Sequence, residues 1–89
     1  MIKTAKEFEQ AMYNLLKNIQ SNKILYGELD FEIEELDYND VLEEITSCHL
    51  VKGLTIQSAN SENVKMLAKI PRVSYSGLKF MRWFEQENN

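Results

Sequence analysis

The chain holds one cysteine, one histidine, one proline and three glycines, and no run of apolar residues is longer than three. Each shortage removes a class of protein. A lone Cys48 forms no internal disulfide, and with only His49 beside it no Cys/His spacing fits a zinc site. Runs this short make neither a membrane span nor the core of a secretory leader. A reducing, cytoplasmic setting is therefore the expectation, with no membrane partner. Three scattered glycines give no phosphate-cradling loop, since nucleotide loops need several at fixed spacing. Neither an internal repeat nor a low-complexity tract is present.

What is there suits one folded domain over residues 1–89, with a modest core and a tail that frays over residues 85–89. The hydrophobic fraction is 44% in 89 residues, which argues against wholesale disorder. Net charge is −4, unevenly spread. Residues 1–48 carry four Lys against eleven Asp and Glu, or −7, and residues 49–89 carry six Lys and Arg against three Glu, or +3. An acidic chain is a poor default binder of nucleic acid, whose phosphates need clustered cations, although the basic half keeps that option open.

Thr4-Ala5-Lys6-Glu7 reads as a capping box, with the Thr4 hydroxyl accepting from the Glu7 amide and Glu7 reaching back. Ala5, Phe8, Ala11, Met12, Leu15, Leu16 and Ile19 follow at helical spacing, which predicts an amphipathic helix ending near residues 18–22. Residues 23–36 read two ways. Leu29, Phe31 and Ile33 alternate with acids as in a strand, whereas Leu25, Leu29, Ile33 and Leu36 fit a helix; the abundance of Glu and Leu favours a short helix after Gly27. Asp37 then caps a second helix whose apolar stripe is Tyr38, Val41, Leu42, Ile45 and Cys48 or His49. Residues 50–57 read as a strand with a bulge or close approach at Gly53, residues 58–63 as a polar loop, and residues 64–70 as a returning strand. Pro71 ends that hairpin. Ser74 caps a last helix buried along Tyr75, Leu78, Met81 and Phe84, with Phe80 and Trp83 flanking.

Helix, short helix, helix, two-stranded hairpin, helix is the order of an α+β winged helix-turn-helix; a plain helical bundle carrying an incidental hairpin is the alternative. The segment ITSCHLVKGLTI, with Leu50, Val51, Lys52 and Gly53, resembles the run of helix into a "GYIKG"-type strand in YjcQ-like winged-helix proteins. PRVSYSGLKF, with Val73, Ser74, Tyr75, Ser76, Gly77 and Leu78, is similar to their "ITLKG" lead into a closing helix. The likeness spans residues 37–84; before that only the order of elements matches. In place of the family's usual glycine before the first strand stand Cys48 and His49. The resemblance implies a small winged-helix protein of Gram-positive bacteria or their phages and prophages, without a settled activity, so it carries a fold more than a function.

Gly77 falls three residues after the Ser74 cap, in the first turn of a helix where alanine would be about 1 kcal/mol better. It reads as a packing residue that lets another backbone approach, either the end of the first helix or a strand of the hairpin. No catalytic constellation is legible. Cys48 and His49 are adjacent, so on a helix they diverge by about 100° and do not pair as nucleophile and base; a buried thiol beside a helix-end His is the plainer reading. The many carboxylates lack the alternating Asp/Asn/Gly of a calcium loop. No cofactor, metal or small-molecule substrate is expected.

Two binding modes remain. The helix before the hairpin offers Asn39, Asp40, Glu43 and Glu44 and no Lys or Arg, which suits an acidic protein-interaction face and disfavours major-groove reading. Lys52, Lys65, Lys69 and Arg72 on the hairpin with Lys79 and Arg82 on the last helix form a basic set for wing-led DNA contact. A protein partner or self-association, with Trp83 or Tyr26 as exposed anchors, is preferred over weak DNA binding.

Overall fold

A computed structural model describes residues 2–60 and 63–88, with side chains described outside residues 54–70. The architecture is α+β: three α-helices and a two-stranded antiparallel hairpin. Helix α1 spans Ala5–Gln20. Thr4 caps it as expected, its hydroxyl accepting the Glu7 amide at 3.1 Å. The Glu7 carboxylate returns to the Thr4 hydroxyl, at 3.2 Å, rather than to the Thr4 amide, so the box is closed through side chains. Ala11, Met12, Leu15, Leu16 and Ile19 are buried, and they share the core with Ile24, Leu50 and Val51, with Tyr38, Val41, Leu42 and Ile45 of the second helix, and with Met81 and Phe84 of the last.

Residues 23–36 do not form the expected helix. A single 3₁₀ turn, Tyr26–Glu28, contains Gly27, and the chain then has no regular structure, bending at Asp30 and Phe31, until helix α2, Glu35–Ser47. The alternating reading was the correct one for side-chain placement: Leu29, Phe31 and Ile33 pack against the core while Glu28, Asp30, Glu32 and Glu34 stay exposed. Glutamate and leucine favour helix locally, but burial of three alternate apolar side chains overrides that propensity. Asp37 is not the cap of α2; Glu34 holds that position, and Asp37, in the first turn, accepts the Ile2 amide at 3.1 Å.

Both α1 and α2 end on a residue in the left-handed conformation, Asn22 at φ 60° and His49 at φ 58°. At each, two amides reach back to close the last turn: Asn22 and Lys23 donate to Ile19 and Asn18, and His49 and Leu50 to Thr46 and Ile45. This is the closure that glycine usually serves. Here His49 itself takes the turn, which points Cys48 and His49 into solvent. The expected burial of Cys48 is therefore wrong.

The hairpin pairs β1, Val51–Asn60, with β2, Asn63–Val73. It is longer than the sequence indicated. Ser58 pairs with Val64 and Asn60 with Asn63, so most of the expected polar loop is strand, with Ser61 and Glu62 outside the described residues. Pro71 does not end the strand either. Lys52 faces Arg72 and Leu54 faces Ala68, so Gly53 stands opposite Lys69, Ile70 and Pro71. Gly53 has φ 75°, and a proline, with no N–H to give the ladder, is tolerated at such an irregularity.

Helix α3, Tyr75–Glu87, is capped by Ser74, whose hydroxyl accepts the Gly77 amide at 3.1 Å. Its buried line is Gly77, Met81 and Phe84 with Phe80 alongside, not Tyr75 and Leu78, which are 73% and 49% exposed. The helix takes in residues 85–87, and Asn88 caps it by donating to the Phe84 carbonyl from both its amide and its side chain.

Candidate interaction surfaces

Three surfaces carry the chemistry named from the sequence. The first is the outer side of α2. With Tyr38, Val41, Leu42 and Ile45 turned inward, the 3.6-residue period leaves Asp40, Glu43 and Glu44 exposed and Asn39 half-buried. The acidic face is real, and it includes the free thiol: Cys48 Sγ donates to the Glu44 carboxylate at 3.0 Å. That bond, with partial burial and the charge of Glu44, raises the thiol above its usual pKa.

The second is the basic set, which the fold divides. Lys52 and Arg72 are direct cross-strand partners at the root of the hairpin, both exposed. Lys79 and Arg82 sit one turn apart on the exposed side of α3, with Lys79 Nζ 5.5 Å from the centre of the Tyr75 ring. The side chains of Lys65 and Lys69 lie outside the described residues. Trp83 is 42% exposed beside this face and is available as an anchor. Tyr26 is 43% exposed, with its hydroxyl donating to the Ile33 carbonyl at 2.7 Å and its ring meeting Tyr38 edge-on at 5.4 Å.

The third surface has no counterpart in the sequence reading. Between the first half of α1 and residues 26–37 runs an open groove of ≈ 900 Å³. One wall is built by residues 26–37, and that segment is held at three points. Asn18, buried to 2%, donates to the Asp30 carboxylate at 2.7 Å and accepts the Asp30 amide at 3.1 Å. Tyr26 holds Ile33, and Asp37 holds Ile2. Apolar Ile2, Ala11, Phe31 and Ile33 line the groove, with the carboxylates of Glu7, Glu32, Glu34 and Asp37 and, among the described residues, the ammonium of Lys6. The alternation of apolar and acidic residues over 29–34 was its one trace in the sequence.

Two of the structural positions named from the sequence, Ser74 and Gly77, meet at one junction. Ser74 donates from its amide to the Leu50 carbonyl at 2.9 Å and from its hydroxyl to the His49 carbonyl. A Cβ on Gly77 would lie far inside van der Waals contact of the Leu50 carbonyl oxygen and 2.6 Å from Val73 Cγ1. The neighbouring backbone is thus the link between α2 and β1. On the opposite flank Tyr13 stacks on Phe84, ring centres 4.7 Å apart, and donates to Glu85 at 2.6 Å. Among the described residues no helix is long and apolar enough to cross a membrane. No protein-family model, curated protein or solved structure matches the chain.

Proposed function

We propose that the chain is a non-catalytic, regulatory binding module of winged-helix type that engages a protein partner rather than reading the DNA major groove. The order of elements supports the winged-helix part, with α2 in the place of a groove-reading helix and the hairpin as wing. The YjcQ-like kinship belongs to the same proposal. In its favour, residues 50–53 and 73–78, the two segments that carry the resemblance, are halves of the one junction at which Gly77 meets Leu50.

The observation that carries the preference for protein is the outer face of α2. Asp40, Glu43 and Glu44 would stand against phosphates in the usual docking, and the whole helix has no cation to offset them. Lys52 opposite Arg72 favours a second reading, DNA contact through the hairpin. Like charges facing each other across strands cost roughly 0.2–1 kcal/mol, a cost that an anion between them would remove.

Amide NMR titration with duplex DNA at low and at physiological salt separates the two. The expected result is weak, strongly salt-dependent binding, no tighter than roughly micromolar to 100 μM. Replacing Glu43 and Glu44 by Gln strengthens such binding and reversing Lys65 and Lys69 to Glu abolishes it, whereas Gln at 43 and 44 weakens association with a protein partner. Nanomolar, sequence-selective binding by the chain alone overturns the protein reading.

A further inference from the structure

The acidic groove and the outer face of α3 complement each other. Met81 and Phe84 turn inward, and Phe84 stacks on Tyr13 of α1, so Tyr75, Leu78, Lys79 and Arg82 lie on the side of α3 away from α1. This face is apolar and cationic together: Tyr75 and Leu78 expose most or half of their surface, and the two cations have no acid among them. The groove is apolar and anionic together, lined by Phe31 and Ile33 as well as by Glu32 and the other carboxylates. Because α3 turns its back on α1, its outer face does not reach the groove of its own chain.

We infer that the chain associates with itself by seating the outer face of α3 of one copy in the groove of another. Tyr75 and Leu78 enter against Phe31 and Ile33, while Lys79 and Arg82 meet Glu32 and the neighbouring carboxylates. The mode is the laying of an amphipathic helix into an apolar groove, with charge setting orientation. Each copy presents one helix face and one groove, so the contact either is reciprocated in a two-fold dimer or propagates from copy to copy. The inference goes beyond the protein-binding reading above: it adds a second contact, of stated occupant, that leaves the acidic face of α2 free for another protein.

Sedimentation equilibrium over a wide concentration range tests it, read beside amide shifts in a dilution series of the unaltered chain. The expected result is reversible association that weakens with salt, with concentration-dependent shifts confined to residues 75–83 and to Gln10 and residues 31–34. Lys79→Glu with Arg82→Glu weakens association about tenfold or more, and Glu32→Lys does the same. Mixing the two variants restores it, because each then meets the opposite charge. A chain that stays monomeric at every concentration overturns the inference, as does association indifferent to both reversals or not restored on mixing. None of these outcomes touches the protein-binding reading itself, which fails instead on tight duplex binding.

Discussion

The carbonyl oxygen of Leu50 occupies the space that a side chain on Gly77 would need. The same carbonyl accepts the Ser74 amide at 2.9 Å, so the start of α3 and the link into β1 are fixed to each other by a hydrogen bond and a backbone-to-backbone contact. Neither partner has a flexible end with which to give way.

Gly77→Ala is therefore expected to destabilise the fold, although alanine is about 1 kcal/mol the better helix former. Overpacking costs about 1–3 kcal/mol when the neighbours shift, and here the nearest neighbour is backbone. Equilibrium urea unfolding measures this; a midpoint that is unchanged or higher would show that the junction relaxes freely.

His49→Gly is expected to act in the opposite direction. His49 is exposed and sits at φ 58°, a region that costs most L-residues about 1–2 kcal/mol and glycine almost nothing. After the added freedom of the unfolded glycine, a gain of about 0.5–1 kcal/mol remains. Asn22→Gly, at φ 60°, should gain less, because asparagine tolerates this conformation better. Thermal unfolding of the two variants side by side gives the ranking.

Asn18→Ala removes both bonds to Asp30 from a site that is 2% exposed. A loss of about 1–3 kcal/mol follows from leaving partners unsatisfied. Hydrogen exchange should quicken at Asp30 and along residues 29–34, while the middle of α1 keeps its protection. Uniform loss of protection would mean that Asn18 serves the core and not the groove wall.

The pH dependence of Cys48 is set by Glu44. The carboxylate that accepts the thiol proton holds the pKa above the usual range, so Glu44→Gln should move the alkylation profile with iodoacetamide to lower pH. The pKa of Tyr13 is raised first by its bond to Glu85, and that of Tyr38 by burial. All three groups bind their proton more tightly folded than unfolded. Their contribution is complete below the ordinary thiol and phenol pKa values and is lost as pH rises through the raised ones, so stability falls on the alkaline side. Flat stability across that range would contradict these placements.

Elements with a local signal were legible in the residues alone. The stripes of α1 and α2, the Thr4 and Ser74 caps, the antiparallel pairing of residues 54–57 with 65–68 within the expected hairpin of 50–57 and 64–70, and the special role of Gly53 and Gly77 all follow from short-range periodicity and from what one amide or one missing Cβ requires. Only the tertiary structure decided three other matters. Residues 29–34 are not helical, and Asn18, twelve positions before Asp30, holds them; a pattern within the segment does not contain that partner. The acidic groove arises from the same clamp. The phase of α3 was open because apolar residues surround that helix, Tyr75 and Leu78 on one side and Phe80, Met81 and Phe84 on the other. The side that turned inward is the one where Gly77 lets the Leu50 carbonyl come close, since backbone contact at that distance admits no other face.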